Sequence, residues 1–164
     1  MKRRINRRTG WIGIALLAAL ATASCSLLSR GLTIPGSGPR FQSNGQQIYL
    51  TATSQRGDPI TYTLTGGMRM GFASLACVTC HGPDGKGGQV RMMMSSFTAP
   101  DIRYSTLTAV SQGMDHPPYT DETIKQAITQ GVDPGGNALN FPMPRWSMSD
   151  QDLNDLIGYL KTLK

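Results

Sequence analysis

The chain has 164 residues, three cysteines and a formal charge of +6 at neutral pH, from 16 Lys and Arg against 10 Asp and Glu. Five of the basic residues (Lys2, Arg3, Arg4, Arg7 and Arg8) crowd the N-terminus, so from residue 25 onward 11 basic side chains face 10 acidic ones, a formal +1. That near-neutral balance removes basicity as an argument for nucleic-acid binding.

The basic start leads into an apolar run from Trp11 to Ala23, shorter than the roughly 20 apolar residues a membrane-spanning helix needs. Small residues Ala21, Thr22, Ala23 and Ser24 then precede Cys25. Charge, short apolar run and small residues in this order make an export signal, and its ending on cysteine resembles a bacterial lipoprotein signal. The resemblance implies that residues 1–24 are a signal peptide and that Cys25 is the lipidated first residue of the mature chain. It further implies an exported protein, anchored by lipid at the periplasmic side of a bacterial membrane, the outer membrane favoured, or at the cell surface. Lipidation accounts for a thiol that would otherwise stay unpaired and reactive. Residues 25–43, rich in Ser, Gly and Pro, read as a flexible tether. Residues 44–164 are long enough to form one domain with its own core.

Within that domain a short helix is predicted around Gly45 to Leu50. In the following stretch, 51–76, Ile60-Thr61-Tyr62-Thr63-Leu64 alternates like a strand and Gly66-Gly67 is a turn signal, so a small β-hairpin is predicted there. Next comes Cys77-Val78-Thr79-Cys80-His81. Cys-x-x-Cys-His is the attachment signature of c-type haem. Two thiols three positions apart add across the two vinyl groups of one porphyrin, and the histidine directly after the second thiol lies under the iron. One signature implies one covalent haem c. Half of a zinc site is the competing reading, but no cysteine follows Cys80 and the only other histidine is His116. A thioredoxin-like redox pair would sit in a βαβ context, which is missing.

Gly82 to Gly88 reads as a turn-rich loop; it lacks the Lys-Ser/Thr ending and the leading strand of a phosphate loop. Gln89 to Phe97 carries Met92, Met93 and Met94, residues that commonly fill irregular apolar gaps. Thr120 caps a predicted helix whose inner face is Ile124, Ala127 and Ile128 and which Gly131 stops. Asp121 and Glu122 are acids of its first turn, not a catalytic pair. Pro142-Met143-Pro144 follows, a methionine on a backbone stiffened from both sides. Ser149 caps the last helix, with Met148 and Leu153 at the spacing of a hydrophobic staple. Leu153, Leu156, Ile157, Leu160 and Leu163 recur at helical spacing and form one buried face.

Taken in order, these pieces resemble the small single-haem c-type cytochromes of the soluble, helical class. The resemblance implies an all-α cytochrome c-like fold around the haem, with 51–76 and 89–97 as insertions. The N- and C-terminal helices would cross at Gly45, Tyr49 and Tyr159. The carbonyl of Pro100 would accept from His81, the iron's proximal ligand. Met143 matches the family's sixth ligand; His116 is the competing ligand, although an exposed loop histidine is its simpler reading. Arg145 and Trp146 could each bond a haem propionate; a solvated arginine and a core tryptophan are their alternatives. A haem closed on both sides by His and Met carries electrons rather than turning over a small-molecule substrate. The expected partners are therefore a redox protein donor and acceptor, with no nucleic acid. Alternatives are a cytochrome subunit of a larger respiratory oxidoreductase, and a haem sensor or peroxidase-like enzyme with an open distal site.

Overall fold

Ser43 opens the first helix, α1 (Asn44–Thr51), its hydroxyl accepting from the Gln46 amide at 3.1 Å. The structure is a computed structural model that describes residues 40–64, 75–92, 95–110 and 115–164. The signal segment, Cys25, most of the tether, Gly66-Gly67, Met93 and Met94 lie outside the described residues. In chain order the elements are α1, β1 (Thr61–Thr63), α2 (Cys77–His81), β2 (Gly88–Met92), β3 (Ser95–Ala99), α3 (Tyr104–Leu107), α4 (Asp121–Thr129), β4 (Arg145–Ser147) and α5 (Asp150–Leu160).

The two later helices begin as their sequences dictate. Thr120 and Thr123 cap α4 reciprocally, each hydroxyl accepting from the other's amide, at 3.3 Å and 2.8 Å. Ser149 accepts from the Asp152 amide at 3.2 Å and opens α5. Ile124 and Ile128 of α4 join Leu153, Leu156, Ile157 and Leu160 of α5, Ile48 and Tyr49 of α1, and Trp146 in one core cluster. Met148 packs against that cluster.

α1 crosses α5 at unusually short range. A Cβ on Gly45 would land on the carbonyl of Asp155 and lie 2.9 Å from Tyr159 Cβ, so only glycine lets the backbones approach this closely. Beside this contact the rings of Tyr49 and Tyr159 stand 5.3 Å apart. At the start of α1, Asn44 Nδ2 donates to Asp152 Oδ1 at 2.7 Å and to Asp155 Oδ2 at 2.8 Å. Ser54 Oγ (2.8 Å) and Arg56 Nη1 (2.7 Å) reach the same Asp152 oxygen, tying the segment after α1 to α5. Asp152 is fully buried. Burial alone would raise its pKa, but hydrogen bonds from Asn44, Ser54, Ser149 and Arg56 outweigh it and hold the carboxyl below its ordinary value. A carboxylate with a lowered folded-state pKa stabilises fully above its unfolded value, and that stabilisation is lost as pH falls through the folded value.

Two small antiparallel sheets accompany the helices. The strand expected at Ile60 to Leu64 forms, but its described partner is β4 rather than a neighbouring strand, with Tyr62 opposite Trp146 and Thr63 opposite Arg145. Tyr62 and Trp146 lie with their rings 5.0 Å apart, a cross-strand aromatic pair of the kind that stabilises a sheet. A hairpin is made by β2 and β3, across the insertion expected at 89–97. The helices thus carry the core, the β1–β4 sheet fastens the 51–76 segment to it, and the β2–β3 sheet is internal to the second insertion.

Two glycines in the crossing helices should respond oppositely to alanine. Gly45→Ala gains helix propensity of about 0.5–1 kcal/mol but forces α1 off α5, a cost of about 1–3 kcal/mol or more. A net loss in denaturant unfolding of the holoprotein is expected. Gly158 has nothing within 4 Å of its Cβ position, so Gly158→Ala should gain about 0.5–1 kcal/mol.

Candidate functional site

α2 is a single helical turn, and that turn sets the site. Its N–H to C=O bonds run from Thr79 to Ala76 (3.0 Å) and from Gly82 to Val78 (3.0 Å). Gly82 ends it at φ 73, a conformation that favours glycine. The turn carries Cys77, Cys80 and His81, all facing one cavity of about 900 Å³. Tyr49 binds the turn to the helix crossing: its hydroxyl donates to the Gly82 carbonyl at 2.6 Å.

His81 is buried, with Nδ1 2.9 Å from the carbonyl oxygen of Pro100. This is the contact that the family resemblance implies for Pro100. A carbonyl can only accept, so Nδ1 carries the proton and Nε2 keeps its lone pair. Burial lowers the His81 pKa, partly opposed by the Pro100 bond. The imidazole is therefore neutral at pH 7, the form that binds a metal. Gly87 and Gly85 hold this arrangement. The Gly87 amide donates to the His81 carbonyl at 2.9 Å, and Gly85 accepts from Ile102 at 2.8 Å. Gly87 adopts φ 71, and a Cβ there would strike the carbonyls of Ala99 and Pro100. The sequence marked Gly82 to Gly88 only as turns; the dense glycine spacing was the one signal of this close approach.

Met143 comes to the same cavity from the segment before β4, with Pro142 and Pro144 lining it on either side. Its amide donates to the Asn140 carbonyl at 3.1 Å. Trp146 is buried and also lines the cavity, as does Met148. Phe141 stands at the same lining with 55% of its surface exposed. Arg145 is not among the lining residues. Its guanidinium turns to protein carbonyls, Nη1 donating to Met143 at 2.6 Å and Nη2 to Leu139 at 3.1 Å. His116 differs from its reading as an exposed loop histidine: it is half-buried, lines the cavity, and sets its ring 5.2 Å from that of Tyr119. Pro117 and Pro118 beside it signalled a stiff loop but not the direction of its fold.

Cys77, Cys80, His81, Pro100, Met143 and Trp146 thus share one cavity, whereas Cys25 lies outside the described residues. The walls suit a large flat apolar cofactor. Ile48, Ile124, Ile128, Leu156 and Leu160 line them, and the volume falls within the range of about 300–1,000 Å³ usual for such sites. Two thiols and a neutral imidazole on one turn meet the requirements of covalent haem. Among the described residues no group of three or more His, Cys, Asp or Glu side chains could hold a bare metal ion. In comparisons with known proteins, residues 42–164 match the family described as Cytochrome c. No curated protein and no solved structure matches the chain.

Gly87→Ala is expected to displace the Pro100 carbonyl from His81 and to destabilise the holoprotein by about 2 kcal/mol or more. Its reduction potential should rise, because an imidazole that loses this hydrogen bond is a weaker donor. Denaturant unfolding and a redox titration measure the two effects; an unchanged value in both would mean that the loop yields around the added methyl group.

Proposed function

Since the chain belongs to the cytochrome c family, with Cys77, Cys80 and His81 fitting the family's covalent haem c motif, we propose that it carries single electrons between redox proteins with His81 and Met143 as the two axial ligands. When bound, haem c supplies one-electron exchange between ferrous and ferric iron. One observation carries the reading: His81 and Met143 reach a single apolar cavity from separate segments, each held by backbone hydrogen bonds. His81 supplies a neutral imidazole nitrogen. Met143 supplies a thioether, which favours the ferrous state and raises the potential. With His81 and Met143 both holding the iron, no open coordination position would be left for a substrate. Exposed Phe141 leaves the cavity lining accessible beside Met143, where a partner's redox group can approach.

The thiols bear on where the protein matures. Burial pushes the Cys77 thiol up to about 12 and raises that of Cys80 as well. Both thiols are half-buried against the cavity wall, and a protonated thiol is a poor nucleophile; attachment to a chain not yet folded fits both. This favours export as an unfolded chain, in keeping with the signal at residues 1–24. The mature protein would begin at a lipidated Cys25 and hang by residues 25–43 from the periplasmic side of a bacterial membrane, leaving residues 44–164 free to meet its donor and acceptor.

Carbon monoxide tests the closed site. The reduced wild-type protein should leave carbon monoxide unbound at neutral pH, whereas Met143→Ala should bind it readily and show a lower potential. Binding by wild type would favour the open-site reading instead. Cys25→Ser tests the anchor: the variant should leave the membrane fraction with an unchanged haem spectrum, because loss of lipid removes the affinity that acyl chains supply. Retention in the membrane would count against lipidation.

A further inference from the structure

Arg145 forms no ion pair among the described residues, yet its guanidinium is half-buried. Among the described residues its charge is met by backbone oxygens: Nη1 reaches the Met143 carbonyl at 2.6 Å and Nη2 the Leu139 carbonyl at 3.1 Å. These two carbonyls stand at opposite ends of the 139–143 segment. The stem and guanidinium lie flat on Gly131, where a Cβ would fall on Arg145 Nε and Cζ. Gly131 has φ 70 and closes α4, and its carbonyl accepts from the Leu139 amide at 2.8 Å. Arg145 itself is fixed in β4 opposite Thr63. One side chain therefore joins the end of α4, the β1–β4 sheet and both ends of the Met143 segment.

We propose that Arg145 is the positioning residue of the distal side, a fork that holds the 139–143 segment so that Met143 stays turned into the cavity. The inference rests on the reading of Met143 as axial ligand. Two features assign the role to arginine rather than to any cation. The guanidinium presents parallel donors in a rigid plane and can reach two carbonyls at once, which the single ammonium of lysine cannot hold in the same geometry. Its hydrogen bonds are charge-assisted, and in a half-buried site each is worth more than a neutral one. Gly131 belongs to the same device, since any larger residue would occupy the place of the fork.

The test begins with the ferric wild-type holoprotein, which should show the weak near-infrared band of sulfur-to-iron charge transfer. Absence of that band overturns the Met143 reading and this inference with it. With the band present, two measurements are made on wild type, Arg145→Ala and Arg145→Lys. The first is the limiting rate at which saturating imidazole displaces the axial ligand from ferric protein, a rate set by opening of the Met143 segment. The second is amide hydrogen exchange at Leu139 and Met143, with Leu156 in α5 as reference. Losing a hydrogen bond to a charged group is worth a factor of ten or more. Arg145→Ala should therefore raise the imidazole rate and the exchange at Leu139 and Met143 by about tenfold, with Leu156 unmoved. Arg145→Lys should fall near the alanine variant in both, and it carries the test alone if Arg145→Ala yields no holoprotein. An unchanged imidazole rate, an equal rise at Leu156, or full rescue by lysine would each overturn the fork while leaving Met143 in place as ligand.

Discussion

The close crossing of α1 and α5 at Gly45 is the contact from which the rest of the molecule is hung. It buries Ile48 and Tyr49 against Leu156, Ile157 and Leu160, and it brings Asn44 within reach of Asp152 and Asp155. From the same crossing Tyr49 extends its hydroxyl to Gly82, directly behind His81. The two ends of the domain and the turn that carries both thiols are therefore one mechanical unit. A change at Gly45 would be felt at the cavity through Tyr49 and through Ile48, Leu156 and Leu160, which line it.

Around the cavity, backbone carbonyls hold His81 and Arg145. On one side the Pro100 carbonyl fixes the tautomer of His81. On the other, the carbonyls of Met143 and Leu139 are held by Arg145. Neutral acceptors suit a site that exchanges an electron with little rearrangement. Both anchors depend on a glycine in the left-handed region. Gly87 lets the chain pass against Pro100, and Gly131 makes room for the guanidinium.

What could be read in the sequence was what neighbouring residues decide. Cys77, Cys80 and His81 stand together because one helical turn must present them to one cofactor. Thr120 and Ser149 announce their helices because a cap and its amide lie three residues apart. Met143 stood out through its two prolines. Of the interactions between distant segments, only those the family resemblance implies, the crossing at Gly45 and the Pro100–His81 bond, were foreseen. β1 is only three residues long, and its pairing with β4 rests on Tyr62 meeting Trp146, which neither segment signals alone. Gly87 and Gly131 looked like ordinary turn glycines until the carbonyls and the guanidinium against them were located. α1 ends on Ala52 at φ 55, where a glycine would have been the visible stop. His116 lines the cavity rather than standing exposed, because loop direction is set by packing rather than by residue type.

The central claim is that one particular methionine faces His81 across the bound cofactor, and methyl NMR tests it most directly. The chain has nine methionines, two of which, Met143 and Met148, have described side chains lining the cavity. In the reduced, diamagnetic protein labelled at methionine methyl groups, the methyl bound over the centre of the porphyrin is shifted far upfield by the ring current. The account predicts one such signal in wild type, lost in Met143→Leu and kept in Met148→Leu. A shifted signal that survives Met143→Leu, or a wild-type spectrum without one, would contradict it.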